Sequence, residues 1–102
     1  MSNISFTSPF VYRFTHDEGS LSTAWVEILP ASVAPEKRVS VIVQNKDTSI
    51  SIEIHLGLSD TVADGGINLA AGASLTLDNY KGAIQARSAS GTPVVHVASA
   101  IV

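Results

Sequence analysis

Residues 38–58 read RVSVIVQNKDTSISIEIHLGL, and their spacing decides the fold class. In the second half of this stretch, aliphatic residues stand at every second position: Ile50, Ile52, Ile54, Leu56 and Leu58. Successive side chains on a β-strand point to opposite faces, so this spacing predicts a strand with one apolar face and one mostly polar face. A helix would scatter the same residues around its circumference and bury none of them consistently.

The first half of the stretch repeats the same period. Val39, Val41 and Val43 alternate with other residues, and the segment 45–49, NKDTS, is made of residues that favour turns. We therefore predict that residues 38–58 form a β-hairpin, with two strands joined by a polar turn. No catalytic residue pattern lies on this hairpin.

Outside the hairpin, short strand-like segments alternate with polar, glycine or proline-containing turns. Strands are predicted at 10–15, 23–29, 67–69, 73–77, 83–88 and 94–102. The segments 16–20 and 89–93 are predicted to be turns, the latter closing a second hairpin. Turn signals about every ten residues are typical of an antiparallel sandwich or barrel, and strands with one apolar face need a second sheet to cover it.

The predicted fold class is therefore all-β: an antiparallel two-sheet sandwich, jelly-roll or Ig-like, of about eight short strands. We expect one domain over residues 10–102. Residues 1–9, which are polar and end at Pro9, are expected to be an N-terminal extended arm or a flexible tail.

Composition limits the classes of function. The chain has 102 residues, a net charge of −3 and six Lys and Arg residues in total, which argues against a nucleic-acid-binding surface. No apolar run approaches the ~18 residues that a membrane span needs, and no secretion signal is recognisable at the N-terminus. The absence of cysteine excludes disulfides and thiolate zinc sites.

Two sets of residues suggest a metal site and are weighed against simpler interpretations. Glu53, His55 and His96 could form a His, His, Glu set, but their strand pairing is unknown and we interpret them as surface polar residues. Asp60 and Asp64 lie in a glycine-ended loop that lacks the alternating oxygen ligands of a calcium loop, so we interpret them as turn residues. The prediction is no metal and no cofactor.

His16, Asp17 and Ser20 are near one another in sequence, whereas a catalytic triad brings its members together from distant segments beside an oxyanion hole. We predict that the chain is not an enzyme and has no catalytic residues.

Trp25 could join other aromatic residues in stacking on a sugar. A lone tryptophan on a sandwich strand is more often a core residue, and we predict that Trp25 lies in the core.

From residue 38 to the end, about two thirds of the chain resembles small β-sandwich structural proteins of tailed bacteriophages. The segments that carry the resemblance are VIVQN at 41–45, LGLS at 56–59, GINL at 66–69, AGASLTL at 71–77 and GAIQA at 82–86. Glycines at four positions fit the pattern and also suit turns: Gly57, Gly66, Gly72 and Gly82.

The resemblance implies a non-enzymatic virion protein of the head decoration or accessory type. Such a protein is made in the host cytoplasm and becomes part of the virion. Its expected role is to bind the outside of the capsid and stabilise it, with the major capsid protein or other virion proteins as partners. The resemblance also implies a symmetric homo-oligomer, with a trimer as the first expectation.

Two segments are candidate assembly contacts. The N-terminal arm could add a strand to an exposed sheet edge of a neighbour, and the apolar C-terminal strand could provide a second contact. The candidate residues of the arm are Ser2, Asn3, Ile4, Ser5, Phe6, Thr7, Ser8 and Pro9. The competing class of function is a receptor- or carbohydrate-binding head module of a fibre or tail protein, which clustered exposed aromatics, drawn from Tyr12, Trp25 and Tyr80, would favour.

Overall fold

The computed structural model describes residues 13–32, 38–57 and 66–101. In these ranges the chain forms eight β-strands. They are β1 (Arg13–Ser20), β2 (Val26–Leu29), β3 (Arg38–Asn45), β4 (Ile52–Leu56), β5 (Ile67–Leu69), β6 (Ser74–Asp78), β7 (Ile84–Ser88) and β8 (Val94–Ile101). The predicted arm, residues 1–9, lies outside the described ranges, as do Tyr12, Leu58 and the two aspartates of the 59–66 loop.

The strands form two antiparallel four-stranded sheets. The first sheet has the order β1-β8-β3-β6 and the second has the order β2-β7-β4-β5. Four of the pairings are nested: β1 with β8, β2 with β7, β3 with β6 and β4 with β5. They describe one long hairpin whose tip is the β4–β5 connection. Rolling this hairpin brings β3 beside β8 and β4 beside β7, and the product is a jelly roll.

The predicted fold class is confirmed, and the strand order selects the jelly roll over the Ig-like alternative. The described ranges contain no helix, and hence none long and apolar enough to cross a membrane.

The core lies between the sheets and is built from the alternating positions of the inner strands. Ile52 and Ile54 are fully buried, as the two-residue period predicted, and Val41 and Val43 face them from the other sheet. The buried cluster comprises Leu21, Leu29, Val41, Val43, Ile52, Ile54, Leu69, Ile84, Ala86, Val95 and Val97.

The predicted hairpin over residues 38–58 is wrong. Both of its strands form, but β3 belongs to the first sheet and β4 to the second, so the intervening polar residues cross between sheets. The turn formers that close a hairpin also suit such a crossing, and the alternating pattern does not encode the pairing partner. β3 is paired with β6 on one side and β8 on the other, which leaves no edge free for β4.

Two further sequence assignments need correction. The segment 89–93 does not close a hairpin, because β7 lies in the second sheet and β8 in the first. The segment 16–20 is not a turn but the second half of β1, paired residue by residue with β8 from His16↔Ala98 to Ser20↔Val94. Its polar residues are compatible with a strand because this edge strand is exposed on both faces.

The amide of Asn45 fixes the crossing that follows β3. Asn45 is fully buried, and its Nδ2 donates to the carbonyl oxygens of Ile50 at 2.8 Å and Leu69 at 3.1 Å. Its Oδ1 accepts from the backbone N–H of Asp47 at 3.1 Å. Its own carbonyl accepts from the N–H of Gly72, which has a φ of 78° that suits glycine. One side chain thus joins the end of β3, the β3–β4 crossing and the end of β5.

Asp47 orders the rest of that crossing. Its Oδ2 accepts from the backbone N–H groups of Ser49 at 2.9 Å and Ile50 at 2.8 Å. These two hydrogen bonds stabilise the carboxylate and lower the pKa of Asp47 below its ordinary value. The crossing is therefore a well-defined turn made by side-chain to backbone hydrogen bonds.

A buried arginine holds the opposite end of the sandwich. Arg38 is 4% exposed, and its guanidinium donates to three backbone carbonyl oxygens. The acceptors are Pro30 at 2.8 Å, Tyr80 at 3.1 Å and Gly82 at 2.5 Å. Arg38 therefore connects the segment after β2 to the β6–β7 turn, a role that its position in the sequence did not indicate.

We expect Asn45→Ala to destabilise the protein by about 2–5 kcal/mol, because it leaves two carbonyls and one N–H without a buried partner. Asn68→Ala, which truncates an exposed asparagine on β5, is the matched control and is expected to change stability by less than about 0.5 kcal/mol. Urea unfolding of both variants measures the difference. Similar small effects from the two would show that the Asn45 amide does not hold the crossing.

Candidate assembly site

The outer edge of β1 is the longest strand edge that the described residues leave unpaired. β1 has eight residues and pairs with β8 on one side only. Residues 14–20 are all exposed, including those that point toward the second sheet. The facing edge strand β2 has only four residues and is too short to cover them. Unpaired N–H and C=O groups of this kind are a template for an added strand.

Between β1 and β2 the sandwich is open along one side. The groove there has a volume of about 220 Å³. Its apolar lining comes from Leu21, Val26, Ile28, Val95 and Val97. Val26 is 45% exposed, so part of the apolar interior reaches the surface at this groove. The free edge of β1 and this apolar groove are adjacent and together form what we call the open side of the sandwich.

The structure bears on only one of the two predicted assembly contacts, the C-terminal strand. The N-terminal contact residues, 2–9, lie outside the described ranges and their contacts stay a prediction. The C-terminal strand is not available as a strand-pairing edge, because β8 lies inside the first sheet with β1 and β3 on its two sides. Its apolar alternation serves the core through Val95 and Val97.

A polar cluster covers the outer face of the first sheet where β1 meets β8. His16 Nδ1 lies 2.9 Å from His96 Nε2. Glu18 Oε1 lies 3.9 Å from His96 Nδ1 and 2.7 Å from Lys46 Nζ. The hydrogen bond and charge of Lys46 lower the pKa of Glu18 below its ordinary value, with a smaller contribution from His96. We call these four residues the His16–His96 cluster.

The metal set considered from the sequence is not assembled. His96 is on β8 in the first sheet, whereas Glu53 and His55 are on β4 in the second. The Glu53 carboxylate instead pairs with the Arg87 guanidinium at 3.1 Å. In the part of the chain that the structure describes, no group of three His, Cys, Asp or Glu residues is placed to hold a metal ion.

Trp25 lies outside the core, contrary to prediction. It is half-buried on the outer face of the second sheet, with the Arg87 guanidinium carbon 4.6 Å from its ring centroid. The His55 ring meets its edge at a centroid distance of 5.8 Å. The indole N–H is buried without a hydrogen-bond partner. Tyr80, by contrast, packs against the core, and its hydroxyl donates to the Ala83 carbonyl at 2.7 Å.

The approach of His16 to His96 could not be read from the sequence. The two residues are 80 positions apart, and they meet only because β1 pairs with β8 in one particular register. Nothing in the alternation of either strand indicates that pairing.

Comparison with known proteins supports the fold assignment. No protein-family model matches the chain, and no curated protein sequence does. Among solved structures it is similar to a chain of Bacillus endospore appendages, described as a family of disulfide-linked pili. The TM-score is 0.59 at 15% sequence identity, over 98% of this chain and 96% of that chain. At this identity the likeness shows the fold alone.

The Glu18–Lys46 ion pair predicts a pH dependence of stability. Because the folded-state pKa of Glu18 is lower than its unfolded value near 4.5, the pair stabilises the fold above that pH. The contribution is lost as the pH falls through the lowered pKa. Glu18→Gln should therefore be less stable than the wild type at about pH 7, and the difference should be smaller at about pH 3, where Glu18 is more protonated.

Urea unfolding at both pH values measures this difference, which should be small because both side chains are well exposed. Glu27→Gln, an exposed glutamate on β2, is the control for the loss of one negative charge. A Glu18→Gln effect that is equal at the two pH values would contradict the ion-pair explanation.

Proposed function

We propose that this chain is a non-enzymatic structural protein of a tailed-bacteriophage virion, which decorates the outside of the capsid and stabilises it. The segment similarity from residue 38 onward supports the virion assignment, and the jelly roll is an architecture that viral capsid domains use. The mechanism is mass action: a subunit that binds only the assembled shell lowers the free energy of that shell relative to its dissociated parts.

The observation that carries the proposal is the free edge of β1 on the open side of the sandwich. The outward-facing N–H and C=O groups of this eight-residue edge strand provide main-chain hydrogen bonds for an added strand, and the groove beside it provides apolar area. Asp17 and Glu18 place charges on this edge, which disfavours indiscriminate edge-to-edge pairing. The edge therefore suits a specific strand rather than general aggregation.

We assign the N-terminal arm as the strand that is added. The arm, residues 1–9, precedes β1 by only a few positions, and nine extended residues reach up to ~30 Å, far enough to cross to an adjacent subunit. Ile4 and Phe6 stand at alternate positions, so one face of an extended arm would place both against the apolar groove of a neighbour. If the arm of each subunit adds to the β1 edge of the next subunit around a closed ring, the product is a homo-oligomer, with a trimer as our first expectation.

The endospore-appendage structure adds indirect support. Its chains form pili, so a subunit of this fold can be the repeating unit of a protein assembly. The present chain has no cysteine and cannot form the disulfide links named for those pili. Its own assembly would therefore depend on non-covalent contacts, which is what strand addition provides. A variant of this proposal is that the chain assembles by the same strand addition into a virion fibre instead of decorating the capsid.

Deletion of residues 2–8 is expected to leave circular dichroism and the cooperative melt unchanged while weakening self-association and binding to undecorated capsids. The reason is that the core cluster of the described residues begins at Leu21, whereas the arm is proposed to make contacts between subunits. Sedimentation of both forms, alone and with undecorated capsids, makes the measurement.

The matched control replaces residues 2–8 by a Gly and Ser sequence of equal length, which retains reach but removes Ile4 and Phe6. It should behave like the deletion. If the deleted protein assembles and binds as tightly as the full chain, the arm is not the added strand. If both forms self-associate but neither binds capsids, the fibre variant replaces the capsid proposal.

A receptor- or carbohydrate-binding module is the second candidate, and Trp25 is the observation that favours it. Its ring lies at the surface of the second sheet with Arg87, Glu53 and His55 around it, and these are side chains that commonly bind sugar hydroxyls. Against this, the Arg87 guanidinium already covers one face of the ring. Only the remaining indole surface would be available for stacking.

This candidate is tested with the fluorescence of Trp25, the one tryptophan of the chain. If a glycan binds at this surface, titration shifts the emission, and Arg87→Ala weakens binding by about tenfold or more. Lys46→Ala, which removes a cation that pairs with Glu18 of the first sheet, is the control. A panel of bacterial surface glycans that leaves the emission unchanged would exclude the candidate.

A further inference from the structure

Two imidazole rings meet on the outer face of the first sheet. His16 is exposed on β1, and the His96 side chain is 28% exposed on β8. Their ring centroids are 5.1 Å apart at an interplanar angle of 40°, and Nδ1 of His16 lies 2.9 Å from Nε2 of His96. The backbone pairing of β1 with β8, which is continuous from Arg13 to Ser20, places the two histidines diagonally on neighbouring strands, since His16 pairs with Ala98 and His96 with Glu18.

We propose that His16 and His96 form a two-imidazole binding site for a divalent transition metal, preferentially Cu²⁺ or Ni²⁺. Two nitrogens 2.9 Å apart, each at a metal bond length of about 2.0–2.1 Å, subtend an angle of about 90° at the metal. That is the angle between neighbouring ligands in square-planar and octahedral coordination, which Cu²⁺ and Ni²⁺ favour, and it is smaller than the tetrahedral angle of zinc.

The surroundings of His96 match those of a metal-ligating histidine. Its Nδ1 has no hydrogen-bond partner, and the Glu18 carboxylate is 3.9 Å away. A metal on Nε2 places the proton on Nδ1, and a side-chain shift of roughly 1 Å would bring this carboxylate within hydrogen-bond distance of it, where a carboxylate orients the ring and raises its basicity. Lys46 holds the Glu18 carboxylate in position through their 2.7 Å contact.

The protein supplies only part of the metal coordination at this site, unlike a closed structural metal site. The described residues supply no third His, Cys, Asp or Glu ligand, so water would complete the coordination. On binding, the metal replaces the hydrogen bond between the two rings, and the ring that donates this bond carries its proton on the other ring nitrogen instead. The core cluster of the described residues is apolar and includes neither histidine.

Titration of the untagged full chain with Cu²⁺, monitored by calorimetry, tests the proposal. We expect one Cu²⁺ per chain, with affinity falling by about tenfold or more in His16→Ala and in His96→Ala. His55→Ala is the matched control, because His55 is the third histidine of the chain and lies on the other sheet. Its Cu²⁺ affinity should equal that of the wild type.

Electron paramagnetic resonance of the Cu²⁺ complex distinguishes ligation from a structural effect of the substitutions. The wild type should show two coupled imidazole nitrogens, and each of His16→Ala and His96→Ala should show one. Glu18→Gln should retain both nitrogens but bind about tenfold more weakly. The proposal is overturned if His16→Ala and His96→Ala bind Cu²⁺ as the wild type does, or if His55→Ala lowers the affinity equally.

Discussion

The buried amide of Asn45 is the interaction on which the two-sheet arrangement depends. A chain that passes from one sheet to the other leaves the ladder of one sheet before it enters the next, so its backbone groups need other partners. Asn45 supplies them at one position, for the crossing after β3 and for the end of β5. An aliphatic residue of similar size would fill the space but leave these groups unsatisfied, which is why a polar residue occupies the interior here.

Rolling one nested hairpin into a jelly roll determines which edges remain open. β8 and β3 become central in the first sheet, and β7 and β4 become central in the second, so the four edges fall to β1, β6, β2 and β5. β1 is twice as long as the β2 strand that faces it, with eight residues against four. This mismatch in length opens the sandwich on one side and exposes apolar surface beside an unpaired strand, and our proposal of assembly by strand addition rests on this geometry.

The same topology places different polar chemistry on the two outer faces. On the first sheet, β1 and β8 bring two histidines and a glutamate together. On the second, β4 and β7 place an ion pair beside the lone tryptophan. Because the outer faces are separated by the core, the two clusters are independent, and His55 on one sheet serves as an internal reference for His16 and His96 on the other.

By itself, the sequence determined the all-β class, the approximate positions of most strands and the buried faces of β3 and β4. The physical reason is that strand period, turn chemistry and burial are local properties: Ile52 and Ile54 alternate with polar residues whichever strand lies beside them. It also indicated that the segment 45–49 is a turn, but a hairpin turn and a crossing between sheets use the same residues.

Only the tertiary structure decided which strands pair. The strand pairing in turn sets the contacts of every residue whose neighbours are distant in sequence. Trp25 lies on an outer face, Arg38 is buried against carbonyls, and His16 meets His96 across 80 positions. Such contacts follow from strand order and register, which are set by the summed packing of both sheets. No single segment determines the total packing of both sheets. Strand period alone therefore could not predict which strand edge stays unpaired or which histidines lie close together.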